Sequence, residues 1–322
     1  MSRKDRGMAT SCPEVSIVMA VWNAERTLPA ALDSVLAQTF ANFELICVDD
    51  GSEDRSLDVL REYAAEDPRI RVLQVPHGGA CAALNVGLDS VRGSFVGFVD
   101  NDDAMHPQLI ETALAAFGNG DFDIVVWDYD SVQDENFGNA AFAPVSGMPP
   151  KTIPDGIAFA AEGSHNSFWC RLYRRCVFDG VRFEPSVIHG DMCLLWKITP
   201  VPGLRFGYVK LPLYRYRVRG DSTVHSPWTE RKALDKLKII RVIYGYHVDN
   251  RKVLSRLQKE LFAEMAWSSY KLSRREPRLR RALRTELKCL FRDGIVRWRD
   301  LPFARFVKMG FGLAFAEDIR HG

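Results

Sequence analysis

With 322 residues, 47% of them hydrophobic, the chain can fill one large domain or two ordinary ones around a substantial core. Its formal charge of +2 hides an asymmetry: residues 230–322 carry 23 Lys/Arg against 11 Asp/Glu, or +12, which leaves −10 for residues 1–229. Seven cysteines, odd in number and without a CxxC pair, argue against a disulfide scaffold and for a reducing compartment. No window approaches the ~18 apolar residues of a spanning helix, and the short run VSIVMAV is too little for a signal peptide, so the expected location is cytoplasmic.

In chain order, VSIVMAV (15–21) and FELICVDD (43–50) read as buried strands that end in polar residues. Between them, residues 24–39 form a helix with Leu28, Leu32, Val35 and Leu36 on one face. The unit repeats: helix 56–65, strand 70–75, helix 80–91 and strand 94–100. Continuous apolar strands that alternate with helices predict an α/β fold with a mostly parallel central sheet covered on both faces. Residues 122–132 give another strand, and 135–156, rich in Gly and Pro, a long surface loop. Residues 168–178 form a strand or short helix, 190–198 a helix, and 208–222 a strand followed by a turn. From residue 229 onward the pattern is helical and basic.

A dinucleotide site would need glycines in the first strand-to-helix turn, but that turn reads VWNAERT, and no phosphate-cradling GxxxxGK[ST] occurs. The strand ends offer acid instead: Asp49 and Asp50 after the second strand, Asp100, Asp102 and Asp103 after the fourth. Ligands of open α/β sheets bind outside the carboxyl ends of the strands, so both clusters should face one crevice. Residues i and i+2 of an extended segment point the same way, so Asp100 and Asp102 can present oxygens to one cation while Asp103 turns elsewhere. Oxygen ligands suit Mg²⁺ or Mn²⁺ shared with substrate phosphates. Taken alone, such a cluster is most often a solvated turn or helix cap.

The order of the pieces decides the reading. SIVMAVWNAERTLPAALDSVLAQTFANFELICVDDGSEDRS (16–56) followed by GGACAALNVGLDSVRGSFVGFVDNDDAMHP (78–107) resembles glycosyltransferase family 2, inverting enzymes of the GT-A fold that use nucleotide-diphospho-sugars. The resemblance covers roughly residues 14–225. It implies a tail (1–13), a catalytic domain (14–225) and a C-terminal helical region (226–322). It further implies that Asp50, with Asp49 beside it, receives the nucleotide base in a pocket lined by Ala20, Val21 and Trp22, that Asn85 and Asn101 belong to the nucleotide-binding set, and that Asp100 and Asp102 hold Mn²⁺ or Mg²⁺ on the diphosphate. Arg217, Arg219 and Ser222 would contact the phosphates, and Asp191 would be the general base. His189 and His225 are secondary candidates, and Trp169 is a candidate platform for an acceptor sugar. Leu84 stands where many members carry Arg or Lys, and IHGDMCLL keeps only Asp191 of the usual Glu-Asp pair.

The resemblance thus implies transfer of a sugar from a UDP-sugar or similar donor to a hydroxyl of a glycan or lipid-linked acceptor in cell-surface polysaccharide synthesis. The reduced acidic pair leaves a second reading, a nucleotide-sugar-binding protein without turnover. Residues 271–308 carry 13 basic and 4 acidic residues interleaved with Leu, Phe and Trp. That pattern suits either an anionic membrane surface, at the inner face of the cell membrane, or packing on the catalytic domain or a second subunit in a homo-oligomer. Nucleic acid is not expected as a partner, since no recognised module accompanies the charge.

Overall fold

A computed structural model describes residues 12–139, 142–143, 145, 151–153, 167–187, 190–198, 203–220 and 229–249, together with 259, 262–263, 265–266, 269, 272 and 275–296. The described chain divides into two compact units. The first, within residues 1–154, 167–183 and 203–219, is the sheet with its helices, and the second, within 155–166, 184–202 and 220–322, is helical.

In the first unit β1 (Val15–Val21), β2 (Phe43–Asp49), β3 (Ile70–Gln74) and β4 (Phe95–Phe98) form a parallel half sheet in the order β3-β2-β1-β4. All of β2 and nearly all of β1 are buried, as continuous apolar strands between two helical layers require. The crossovers are α1 (Leu28–Leu36), α2 (Ser56–Glu66) and α3 (Ala80–Asp89). The first helix begins later than its apolar spacing suggests, because Asn23 adopts a left-handed backbone (φ 47°) and the chain turns through 24–27 before Leu28 donates to the Ala24 carbonyl. Gly87 lets α3 lie directly on β1 and β2: a Cβ there would collide with Val18 and press on Val48 at 3.3 Å.

Beyond β4 the sheet turns mixed. The order continues β4-β8-β6-β9-β5, with β5 (Ala104–Met105), β6 (Ile124–Gln133), β8 (Arg171–Arg174) and β9 (Phe206–Val218), while α4 (Leu109–Asn119) runs between β5 and β6. Strand β8 is antiparallel to both β4 and β6, whereas β6 and β9 run parallel. The long loop expected over 135–156 is partly structured: Asp134–Asn139 is a 3-10 helix, and β7 (Lys151–Ile153) pairs antiparallel with β9. The result is a mixed α/β fold with a central, mostly parallel sheet of nine strands among the described residues, as the sequence leads one to expect.

The second unit contains α5 (Gly190–Ile198), α6 (Glu230–Asp249) and α7 (Arg280–Arg292). Its core joins Cys193 and Trp196 of α5, Leu237, Ile240 and Ile243 of α6, and Leu283, Leu287 and Leu290 of α7. The apolar stripe of α7 is therefore spent inside this unit, and Arg280, Arg281, Arg284 and Arg292 are left on its exposed side. No helix among the described residues is long and apolar enough to cross a membrane.

Candidate active site

The carboxyl ends of β1, β2 and β4 converge in the first unit. The Val21 carbonyl accepts from the Asp50 amide at 2.8 Å, and the Ala20 carbonyl accepts from the Asn101 side-chain amide at 2.9 Å. The loops after β1 and β2 are laced together. Asn23 accepts from the Glu53 amide through its side-chain carbonyl (2.8 Å), and Ser56 accepts from the Ala24 amide (2.7 Å). The strand ends that carry the candidate residues are thus fixed by backbone groups before any ligand arrives.

Asp50 is 1% exposed. Its two carboxylate oxygens accept from the Gly78 amide (2.8 Å) and the Gly79 amide (2.9 Å), and His77 Nδ1 lies 3.0 Å from one of them. The turn must be tight: Gly51 has φ 67°, and a Cβ on it would meet the His77 amide nitrogen at 2.9 Å. The His77 ring in turn stacks on Trp22, with centroids 4.7 Å apart, and Trp22 is half exposed at 50%. Asp49 points away from this cluster by strand alternation; it is fully buried, and both its oxygens lack a hydrogen-bond partner among the described residues.

The acidic turn after β4 separates its three aspartates by role. Asp103 is fully buried; it accepts from the Tyr214 hydroxyl at 2.9 Å and from the Arg217 amide at 2.8 Å. Burial, reinforced by the charges of Asp100 and Asp102, pushes its carboxyl well above the usual carboxylate range. The Tyr214 hydroxyl also accepts from the Asp100 amide at 3.1 Å, so one phenol ties both ends of the turn. Asp100 and Asp102 stay partly exposed, and one ligand oxygen from each of the three aspartates falls within 4.8 Å of the others. This all-carboxylate donor set fits a hard, oxygen-seeking cation such as Mg²⁺ or Mn²⁺.

Of the two candidate arginines on β9 and just past it, Arg217 is committed to the scaffold. Its guanidinium lies 3.6 Å over the Phe137 ring, donates to the Asp102 carbonyl (2.6 Å) and pairs with Asp134 (2.9 Å). Arg219 instead reaches the Asp102 carboxylate, at 2.9 Å. Trp169 is buried and stacks on Tyr214 with centroids 4.3 Å apart, so it backs the tyrosine that holds the turn. Asn85 uses both ends of its amide on the Phe183 backbone, at 2.9 and 3.1 Å, and pins the residues after β8 to α3.

The structure therefore brings Ala20, Val21, Trp22, Asp50, Asp100, Asn101, Asp102, Arg217 and Arg219 to the strand ends of one unit. Asp191 lies in the first turn of α5 in the second unit, while His189, Ser222 and His225 lie outside the described residues. Sequence reasoning missed His77, Tyr214, Asp134 and Phe137. The Tyr-Arg alternation in YRYRVR marks two faces of a strand, but nothing local connects Tyr214 with an aspartate 111 residues away.

Comparison with known proteins supplies the family and the fold. The model for Glycosyl transferase family 2 matches residues 16–182. The chain belongs to glycosyltransferase family 2. Within the family, it is 29% identical over 227 residues to the glycosyltransferase GlyA of Streptococcus pneumoniae, across 68% of this chain but 32% of that protein. It is 26% identical over 223 residues to the uncharacterized glycosyltransferase YibD of Escherichia coli, across 67% of this chain and 64% of that one. The chain thus spans less than two thirds of these relatives' length. Among solved structures, S. aureus TarS 1–349 in complex with UDP-GlcNAc superposes with a TM-score of 0.71 at 20% identity, over 95% of this chain and 89% of that one. A structure of the same protein in complex with UDP gives 0.68 at 19% identity, over 95% and 88%.

Proposed function

We propose that this chain is an inverting, metal-dependent glycosyltransferase of the hexosyl or N-acetylhexosaminyl type that moves a sugar from a UDP-linked donor to a hydroxyl of a glycan or lipid-linked acceptor. The observation that carries the reading is the acidic turn: Asp100 and Asp102 stand partly exposed beside Arg219, on a base built from Asp103, Tyr214 and Arg217. The UDP preference is supported by the UDP and UDP-GlcNAc complexes of TarS.

In this reading Asp100 and Asp102 hold Mn²⁺ or Mg²⁺, which when bound supplies Lewis-acid neutralisation of the departing diphosphate. Trp22 offers its exposed face for stacking on the base. Asp50 keeps the 77–79 turn in place by accepting from the Gly78 and Gly79 amides, and a lone pair left on the carboxylate receives a base N–H. Arg219 contacts the phosphates, while Arg217 holds the turn. Asp191 accepts the proton of the acceptor hydroxyl. An anionic membrane surface at the inner face of the cell membrane is the proposed place of work, consistent with the exposed arginines of α7.

The decisive experiment is donor hydrolysis: release of free UDP from UDP-sugars, dependent on Mn²⁺ and lost in Asp102→Ala, is the expected result. Mn²⁺-dependent binding of the donor without any release or transfer would instead favour a binding protein, the reading that a single Asp191 in place of an acidic pair keeps open.

A further inference from the structure

Strand alternation puts Arg215, Arg217 and Arg219 on one side of the β9 path. The first two guanidiniums lie over aromatic rings, Arg215 at 3.9 Å from the centroid of Phe142 and Arg217 at 3.6 Å from that of Phe137. Both are nearly buried, at 5% and 9% exposure, and Arg217 is further fixed by Asp134 and the Asp102 carbonyl. Arg219 differs in what it holds: its Nη2 lies 2.9 Å from Asp102 Oδ2, with 27% and 19% of the two side chains exposed. Asp102 is also one of the carboxylates that present oxygens for a cation, and its neighbours Asp100 and Asp103 lie in the same 4.8 Å cluster. A guanidinium and a divalent ion are both drawn to that charge, and each screens it from the other.

From this juxtaposition we infer that Arg219 is an exchangeable counter-ion for the metal site: it competes with a divalent cation for Asp102 and, once displaced, pairs with the donor's diphosphate. The inference rests on the proposed function and adds to it a coupling between two ligands. Displacement from Asp102 turns one immobilised guanidinium into a fork of N–H donors of the geometry that phosphate oxygens accept. Metal and nucleoside diphosphate therefore favour each other's binding through this side chain, and linkage makes the factor the same in both directions. Arg219 is a positioning and binding residue in this scheme, and Arg217 cannot replace it because its contacts are built into the turn.

The test measures Mn²⁺ binding alone, by electron paramagnetic resonance of the free ion, and UDP binding with and without saturating Mn²⁺, by calorimetry, in the full chain and in Arg219→Gln. The expected result has opposite signs: Mn²⁺ alone binds about fivefold tighter to the variant, which has lost its competitor. UDP in the presence of Mn²⁺ binds about tenfold weaker or worse, having lost a charge-assisted contact. The factor by which each ligand helps the other falls accordingly. Arg219→Lys keeps the charge without the planar fork and should shift both affinities in the same senses by less; it carries the test should the glutamine variant fold poorly. Unchanged Mn²⁺ affinity in Arg219→Gln would overturn the inference, as would unchanged UDP affinity with Mn²⁺ present. If the unaltered chain shows no Mn²⁺-dependent UDP binding, the proposed function itself fails, a result separable from either of these.

Discussion

Asp100, Asp102 and Asp103 stand within four positions of one another, yet only two of them face outward, and the third is where the turn is anchored. Replacing Tyr214 with Phe removes the hydroxyl shared by the Asp100 amide and the Asp103 carboxylate and takes one hydrogen bond from each, the latter in a fully buried place. A loss of about 1–3 kcal/mol in chemical denaturation is expected, together with weaker Mn²⁺ binding because the turn loosens. The base assignment is tested by Asp191→Asn, which keeps size and removes basicity. Transfer should fall by about 10²–10⁴-fold while donor affinity is retained, measured by steady-state kinetics beside calorimetry. Near-normal transfer by that variant would place the base elsewhere, with His189 next to be replaced. At this scale the sequence discloses which residue types gather, since an Asp-rich strand end is visible in the letters. It could not separate Arg217 from Arg219, because what distinguishes them is Phe137 and Asp134, contributed by a segment some eighty residues upstream.

Strands β1 to β4 and the helices between them are legible because each is a continuous apolar run or a one-face stripe, and each pairs with a neighbour in a regular crossover. Strands β5 and β7 are two and three residues long and owe their pairing to partners far away in the chain, so no local period announces them, whereas β8 falls inside the stretch 168–178 read as a strand or short helix. Packing between elements yields two predictions. Gly87→Ala forces a methyl into the seam where α3 meets β1 and β2, and overpacking of that kind should cost about 1–3 kcal/mol in a denaturation curve. At the opposite end of the sheet from the site, Glu44 of β2 is nearly buried and accepts from the Ser16 hydroxyl (2.7 Å) while pairing with Arg71 and Arg92. Burial raises its carboxyl, but the Ser16, Arg92 and Arg71 contacts outweigh it and hold the group below its ordinary value of 4.5. A lowered folded value means the stabilisation is complete above that ordinary value and is lost as pH falls through the folded one. The stability gap between the unaltered chain and Glu44→Gln should therefore narrow as pH drops below 4.5; a gap that stays constant would show that the carboxylate charge contributes nothing.

At the scale of the molecule, the basic back, residues 230–322, falls within the second, helical unit, which also takes in segments of the acidic front. Because the apolar face of α7 is consumed in the core of its own unit, a membrane contact through this helix can only be electrostatic. Deleting residues 271–322 would strip Leu283, Leu287 and Leu290 from that core, so charge reversal is the cleaner probe. Sedimentation with anionic vesicles should show binding at low salt, release near 1 M salt where the Debye length shrinks to ~3 Å, and loss of binding in the double variant Arg281→Glu, Arg284→Glu. Binding that survives reversal would move the contact to another surface. The path of β9 has a consequence in time. The turn at Asp100–Asp103 leaves the ribosome long before Tyr214 and Arg217, its anchors 111 and 114 residues further along. At about 5–20 residues per second, synthesis needs about 6–23 s to deliver them. Throughout that interval the nascent chain displays its acidic cluster without the phenol and the amide that shape it, and the closing of so long a loop makes this corner of the sheet a late event in folding. The proposed base side of the site can mature early from the first hundred residues; the proposed metal side waits for β9.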